Sequence, residues 1–248
     1  MVALANNAAR GILRAGFIAG AAFVVTSAIR GCVHGEDWKA DLLWTAVFGG
    51  SALVLFAAVG FLGVRVLLAS RLPAEIARGN VAAGVAAGAH LAATGIIVAS
   101  CFYGDDVTEL GVSAVFFVIA QLTLHAFVIL FRMLTLYADD EEVMGENVAA
   151  AVSYAGAVLA IAIVVGHAAE GEFEGWGVSL RAYGIALASA LVLYPVRQLV
   201  VQTLVLRQPF SLRGGALDQL VARERNVGIS AVEAVSYVST AVLLAGIL

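Results

Sequence analysis

Charge and proline are scarce in this chain. Of its 248 residues only 13% are charged and three are proline, while 62% are hydrophobic. Soluble domains carry about 25% charged residues, so the composition excludes an ordinary soluble domain. The mean hydropathy of +0.97 indicates a polytopic membrane protein. A net charge of −4 is too small to favour a nucleic-acid partner.

Cysteine is also scarce, which limits the covalent and metal chemistry of the chain. Cys32 and Cys101 cannot form a disulfide framework, and no Cys/His cluster has zinc spacing. One bridge in an oxidising compartment and two free buried thiols stay open as interpretations. No nucleophile elbow or phosphate-binding glycine loop occurs. We therefore predict no catalytic residues, no metal site, no cofactor and no enzyme.

Long apolar runs dominate what is present, and a membrane span needs about 20 such residues. Because lipid leaves the backbone no other partner, each run is predicted to be a helix. The fold class expected is an all-α transmembrane bundle with seven spans. We expect the first run to be retained, and not cleaved as a signal peptide. The predicted spans are Gly11–Ile29, Leu42–Ser70, Asn80–Tyr103, Leu110–Tyr137, Asn147–Ala169, Ala182–Leu206 and Val227–Leu248.

Basic residues are distributed unequally between the two sides of these spans. Eleven arginines fall on one side, and only Arg30, Lys39 and Arg181 on the other. The positive-inside rule then predicts a cytoplasmic N-terminus and a C-terminus outside. The outer loops are acidic at Gly35-Glu36-Asp37, Gly104-Asp105-Asp106 and Gly171-Glu172. Solvated turns and a cation-attracting rim are both open interpretations of these loops.

A motif recurs where the third, fifth and seventh spans begin. Glu75 precedes Gly79 and Asn80, Glu142 precedes Asn147, and a weaker copy begins at Asn226. Each asparagine stands where it can cap the first turn of a helix. The repeat unit is a two-helix hairpin, so the internal repeats are parallel. The predicted units are a half-repeat at 1–40, hairpins at 41–108 and 109–176, and a divergent hairpin at 177–248.

Small residues lie four and eight positions after the motif asparagines. Such spacing places them on one helix face, where they allow close packing of helices in lipid. The first helix joins this set through a match of Ala9–Gly20 to Ala77–Gly88. We expect the odd-numbered spans to pack tightly within or between subunits. The predicted packing residues are Gly16, Gly20, Gly84, Gly88, Ala151 and Ala155.

Glu75 and Glu142 are harder to explain as caps, because each lies five residues before its asparagine. We expect them to pair with an arginine such as Arg65, Arg71 or Arg132, or to form a cytoplasmic docking or ion-binding ring. Arg65 and Arg132 each lie 15 residues before their asparagine, so the repeat register extends into the preceding helix.

Glu233 is a carboxylate within the last span, where a charge is costly and suggests function. It binds a proton or cation, as in a secondary transporter, or it has a structural role, in which it stays protonated or pairs with an arginine such as Arg197 or Arg65.

His90 and His125 lie near the middle of consecutive spans, and Gln121, His125 and Arg132 share one helix face. Two such histidines suit axial ligation of a haem iron, which would give an electron-transfer protein. Hydrogen bonds between helices are the alternative.

The motif Glu-(Ile/Val)-x-x-(Gly/Glu)-Asn-Val-Ala-Ala resembles the Domain of Unknown Function 350 family of bacterial inner-membrane proteins. Glu75, Gly79 and Asn80 carry the better match, and Glu146 replaces the glycine in the second copy. The resemblance implies tandem helical hairpins in a bacterial inner membrane. It does not indicate any activity. We expect a non-enzymatic scaffold or channel-like assembly that contacts membrane lipid and forms a homo-oligomer. A cytoplasmic protein partner is a further hypothesis.

Overall fold

A computed structural model describes residues 7–35, 37–67 and 71–247, and this part of the chain contains helices without strands. The predicted span ends at Ser70 and Leu248, and the loop residue Glu36, lie outside the described residues. The helices are α1 (Ala8–Cys32), α2 (Trp38–Leu67), α3 (Leu72–Arg78), α4 (Val81–Cys101), α5 (Val107–Arg132), α6 (Asp139–Met144), α7 (Val148–Ala169), α8 (Trp176–Ala190), α9 (Leu193–Arg197), α10 (Ala216–Ala222) and α11 (Val227–Ile247).

Seven of these segments are long and apolar enough to cross a membrane. They are α1, α2, α4, α5, α7, the run from α8 to residue 205, and α11, so the predicted all-α fold with seven spans is confirmed. Polar residues take part in the first turns, so some helices begin before the apolar runs do. α5 begins at Val107 because the side chain of Asp106 accepts a hydrogen bond from the Glu109 backbone N–H at 2.8 Å.

The sixth span is irregular, although one regular helix was expected over Ala182–Leu206. α8 ends at Ala190, α9 follows, and a π-helix covers Gln198–Val205. Gln198 and Gln202 are buried in this π-helix, and Gln202 Nε2 donates to the Pro209 carbonyl at 2.8 Å. Wider π turns often occur where polar groups serve a function. Hydropathy alone does not report such a change in helix type.

The odd-numbered spans pack side by side in one row, in the order α1, α4, α7, α11, and the two inner members, α4 and α7, are the most buried spans. The contacts between consecutive members of this row are the most extensive in the fold. Ala9 packs against Gly84 at one end and Ser27 donates to the Ala99 carbonyl near the other, so α1 and α4 run parallel. The even-numbered spans lie outside this row, with α2 on α1 and α4, α5 on α4 and α7, and α8 on α7.

Three short helices, α3, α6 and α10, immediately precede α4, α7 and α11. We call the end of the bundle where they lie the Asn end, because it carries Asn7, Asn80, Asn147 and Asn226. The residue before each of the last three asparagines has a positive φ: 103° at Gly79, 62° at Glu146 and 51° at Arg225. Only glycine adopts this conformation without cost, so the second and third turns retain the backbone shape with a less suitable residue.

Candidate functional site

The first two asparagines of the Asn end use both ends of their amide groups. Asn7 Oδ1 accepts from the Arg10 backbone N–H at 2.9 Å, and its Nδ2 donates to the Ile76 carbonyl at 2.9 Å. Asn80 Oδ1 accepts from the Ala83 N–H at 3.1 Å, and its Nδ2 donates to the Val143 carbonyl at 2.9 Å. Each asparagine therefore caps its own span and holds the end of the next short helix.

The other two asparagines differ from each other. Asn147 caps α7 at the Ala150 N–H (3.2 Å) and donates to the Val221 carbonyl at the end of α10 (2.9 Å). Asn226 caps α11 at the Ile229 N–H (3.1 Å) but is exposed, and its Nδ2 has no partner among the described residues. The series of links thus runs from α1 to α10 and stops at α11.

Glu75 and Glu142 contact the asparagine of their own motif. Asn80 Nδ2 donates to Glu75 Oε2 at 3.1 Å, and Asn147 Nδ2 donates to Glu142 Oε2 at 2.8 Å. Glu75 also pairs with Arg78, and the hydrogen bonds from Arg78 and then Asn80 lower the pKa of the Glu75 carboxyl. Neither glutamate forms an ion pair with Arg65, Arg71 or Arg132 among the described residues, so that expectation was wrong. The spacing of five residues lets the carboxylate orient the capping amide.

Two buried ion pairs lie close to the Asn end. Arg132 pairs with Asp139, and its guanidinium lies 4.8 Å from the ring centre of Tyr154. Arg197 pairs with Glu233 at 2.6 Å, with Asp218 3.4 Å away. The three side chains of this second cluster are at most 2% exposed.

The ion pairs follow the repeat. Asp139 and Asp218 each lie eight residues before their asparagine, and each meets an arginine from the preceding span. Leu72 occupies the equivalent position in the first hairpin. Arg65 lies exposed there, beside a cavity of about 440 Å³ that Arg10 and Arg14 also line. The first hairpin therefore lacks the acid that neutralises the arginine in the other two.

Glu233 lies in an ion pair with Arg197, one of the situations that its sequence position allowed. Arg197 Nε donates to Glu233 Oε1 at 2.7 Å, while Glu233 Oε2 has no partner among the described residues. The transporter hypothesis requires a lone, shielded carboxylate, and this geometry does not supply one.

His90 and His125 meet at the middle of the bundle. Their ring centres are 5.6 Å apart, His90 Nδ1 lies 3.1 Å from the Tyr154 hydroxyl, and His125 Nδ1 lies 2.6 Å from the Gln121 carbonyl. The Nε2 atoms of both rings lie against Gly63, where even an added methyl group would collide with His90. A porphyrin between the two rings has no room, so the geometry favours interhelical hydrogen bonding over haem.

The side chain of Gln121 is buried between helices as well. Neither of its amide atoms has a partner among the described residues, and the same holds for His90 Nε2.

The predicted packing residues lie in the row of odd spans. A Cβ added at Gly84 would lie 2.6 Å from the Ala9 carbonyl oxygen, and one at Gly88 would lie 2.9 Å from that of Ile12. Gly16 abuts Gly88, whereas Gly20 lies against Gly95 and Phe56. On α7, Ala151 is buried and Ala155 is partly buried.

The register that we gave the first helix needs a correction of five residues. The sequence match placed Ile12 opposite Asn80, but the cap of α1 is Asn7. The counterparts of Gly84 and Gly88 are consequently Gly11 and Ala15, and both are exposed. Gly16 and Gly20 lie on a different face, the one that contacts α4.

The opposite end of the bundle has a wider and more acidic cavity of about 630 Å³. The carboxylates of Asp105, Asp106 and Glu109 lie within 4.8 Å of one another at its edge. Asp106 caps α5 and Glu109 accepts from the Asp105 backbone N–H at 2.9 Å, so turn geometry accounts for their positions. Cys32 and Cys101 are free and buried near this end.

Sequence reasoning missed Asn7, Asp139 and Asp218. It also missed the contacts of Tyr154 with His90 and Arg132. Asn7 has the signal of an asparagine just before an apolar run, but a longer chance match at Ala9 outweighed it. The two aspartates share a fixed spacing to their asparagines, which a search for repeated acids would have found.

Comparison with known families gives one match, in two tandem segments. The model of the Domain of Unknown Function (DUF350) matches residues 3–102 and residues 105–248. No curated protein and no solved structure matches the chain. The two segments together cover nearly the whole chain, and their tandem arrangement fits the internal repeat of hairpins. The chain is a multi-pass membrane protein that belongs to the DUF350 family.

Proposed function

We propose that the protein is a non-enzymatic membrane scaffold that assembles head to tail, by continuing its row of odd-numbered spans into a second copy. The observation that carries the proposal is a repeated contact between parallel spans, together with two exposed faces that match it at the ends of the row.

Each odd span has two packing faces, which we name by their distance from the capping asparagine. The trailing face consists of the residues two, nine, 13 and 20 positions after the asparagine, and it contacts the next span. In α1 it is formed by Ala9, Gly16, Gly20 and Ser27. The leading face consists of the residues four, eight, 15 and 19 positions after the asparagine, and it contacts the previous span. In α4 it is formed by Gly84, Gly88, Gly95 and Ala99.

The contacts at the three internal junctions use two recurring pairs of positions, and each pair is seen at two of the junctions. Between α1 and α4, Gly16 abuts Gly88, and the Ser27 hydroxyl donates to the Ala99 carbonyl. Between α7 and α11, Gly156 abuts Ala234, which are again the ninth and eighth positions. Between α4 and α7, a Cβ added at Gly166 would lie 2.8 Å from Ser100 Oγ, which repeats the 20-to-19 pairing.

The two ends of the row expose the unused faces. The leading face of α1 consists of Gly11, Ala15, Ala22 and Thr26, all exposed. The trailing face of α11 consists of Gly228, Val235, Ser239 and Gly246, all exposed as well. Small residues are enriched where membrane helices pack against each other, and contact with lipid does not call for them. A second copy would therefore pair Val235 with Ala15 and Gly246 with Thr26.

Asn226 supports the same arrangement independently. The other three asparagines donate to the carbonyls just before the next cap. The amide of Asn226 has no such acceptor among the described residues. In a continued row this amide would face the chain just before Asn7 of a neighbouring copy, which falls in residues 1–6 and so outside the described residues. Head-to-tail contacts form a ring if the rotation between copies closes, and a filament if it does not.

Subunit counting by native mass spectrometry of protein released from mild detergent tests the proposal. We expect wild type to be oligomeric, and Ala15→Leu or Ser239→Leu to shift it to monomer, because bulk on either face separates the helices. Ala58→Leu, at an exposed position of α2 outside both faces, should leave the oligomer intact. A wild-type monomer, or oligomers insensitive to both face variants, would overturn the proposal.

The location of the assembly is also a proposal. Eleven arginines lie toward the Asn end and three basic residues toward the other, which favours a cytoplasmic Asn end in a bacterial inner membrane. The repeat units are also a proposal: a half-repeat at 1–40 and hairpins at 41–108, 109–176 and 177–248, within one compact membrane domain. Labelling of single cysteines introduced at Arg71 and Arg181 by an impermeant thiol reagent on intact cells tests the orientation, since only position 181 should react.

A further inference from the structure

One cavity lies where the first hairpin meets α1 at the Asn end. Its volume is about 440 Å³ and its polar lining is formed by Arg10, Arg14 and Arg65. Arg10 and Arg14 are four residues apart on α1 and so share a helix face, while Arg65 approaches from the end of α2. Leu13, Phe61 and Val64 form part of its apolar wall.

The three arginines are not neutralised by the protein. None of them forms an ion pair among the described residues; Arg132 and Arg197, by contrast, each do so. The sequence reinforces this point, because no Asp or Glu precedes residue 36 and none lies between Asp41 and Glu75. Three positive charges thus share one cavity at the boundary of the apolar layer.

The first hairpin lacks an aspartate that the other two hairpins have. In the second and third hairpins, the position eight residues before the asparagine is Asp139 or Asp218, and each contacts an arginine. In the first hairpin that position is Leu72, which lines the cavity and is fully buried. An external anion in the cavity would supply the charge that the aspartates supply elsewhere.

We propose that this cavity binds a phosphate group, with the apolar wall in contact with the acyl chain when the phosphate belongs to an anionic lipid. The guanidinium fork matches phosphate oxygens in two parallel hydrogen bonds. Basic pockets between membrane helices on the cytoplasmic side bind lipid headgroups in this manner. The site differs from the faces that the scaffold proposal uses, and it does not depend on oligomerisation.

Lipid binding to the purified full-length protein tests the site. Native mass spectrometry would titrate phosphatidylglycerol and phosphatidylcholine, with sn-glycerol 1-phosphate as a soluble competitor. We expect phosphatidylglycerol to bind more tightly, and Arg65→Gln and Arg14→Gln each to weaken it about ten-fold, as loss of a charged hydrogen bond does. Arg30→Gln, at the other end of α1, is the matched control and should change nothing.

Competition with glycerol phosphate distinguishes a lipid from a soluble molecule as the source of the phosphate. Displacement of phosphatidylglycerol by millimolar glycerol phosphate indicates a soluble ligand at the same arginines, and resistance indicates a lipid. Leu72→Asp, which restores the acid of the other hairpins, should weaken binding as much as Arg65→Gln does. Equal binding of both lipids, or binding of phosphatidylglycerol that none of the arginine variants changes, would overturn the proposal.

Discussion

Equivalent positions of the repeat have different surroundings at the junctions between odd spans and at the two ends of their row. Gly88 and Ala15 both lie eight residues after a capping asparagine, yet Gly88 is buried against α1 and Ala15 is exposed. Asn147 and Asn226 both cap a span, yet only Asn147 reaches a further helix. In the proposed assembly, a second copy covers the face of Ala15 as α1 covers the face of Gly88.

The largest difference is expected between arginines at equivalent ends of the first and third hairpins. Arg197→Met leaves Glu233 and Asp218 buried without their cation, which typically costs about 3–5 kcal/mol. Arg65→Met removes an exposed charge that has no partner among the described residues, and it should change stability by less than about 0.5 kcal/mol. Chemical unfolding in detergent micelles measures both. Similar losses for the two variants would contradict the contrast between the hairpins.

Leucine at the eighth position compares a junction with an end directly. Gly88→Leu should destabilise the monomer by about 3 kcal/mol, because the added atoms meet the backbone of α1 and the helices must separate. Ala15→Leu should leave monomer stability within about 0.5 kcal/mol, because none of the described residues of the same chain covers that face. Thermal unfolding of the two variants, with subunit number recorded alongside, separates these effects. Equal destabilisation would mean that the α1 face is not open.

Alanine at the capping asparagines gives a smaller contrast. Asn147→Ala loses the cap, worth about 1 kcal/mol, and a buried hydrogen bond to Val221, worth about 1 kcal/mol more. Asn226→Ala loses the cap alone in the monomer. We therefore expect about twice the destabilisation at Asn147 when both variants are unfolded as monomers. A larger loss at Asn226 would show that its amide is already engaged within the chain.

The smallest effect concerns the pH dependence of the Asn80 cap. The pKa of Glu75 is lower in the folded protein, first because of Arg78 and then because of Asn80. Its contribution to stability is present above the unfolded-state pKa of about 4.3, and is lost as the pH falls through the folded pKa.

Glu75→Gln should remove that part of the acid destabilisation, seen as a flatter stability curve below about pH 5. The third hairpin offers a control, because Val221 occupies the position of the carboxylate there. An unchanged curve in Glu75→Gln would contradict a role for the charge of Glu75 in holding the cap.

Much of the fold was accessible from sequence because each unit repeats a strong local signal. Hydropathy located seven spans, and Asn80 and Asn147 marked two helix starts. The register of the first helix was wrong, since an identity of small residues at Ala9–Gly20 reports composition and not the cap. The π-helix at Gln198 was missed because hydropathy does not distinguish hydrogen-bond patterns within a buried helix.

The candidate sites were less accessible than the fold. Glu75 could not be assigned to Asn80 without knowing that the short helix α3 ends at Arg78 and that Gly79 turns the chain back. The pairing of Asp139 with Arg132 depends on the packing of α6, which is too short for a periodicity signal. Contacts between separate elements, such as Asp218 with Arg197, require the tertiary fold.

Disulfide cross-linking in native membranes tests the continued row most directly. In a protein with Cys32 and Cys101 replaced by serine, Ala15→Cys and Val235→Cys would be combined, with Ala15→Cys plus Leu122→Cys as the mismatched control. The account predicts an oxidation-dependent ladder of dimers and higher oligomers for the first pair. Each single variant and the control should give none. A folded protein that forms no ladder, or a dimer from either single variant as strong as from the pair, would contradict head-to-tail assembly.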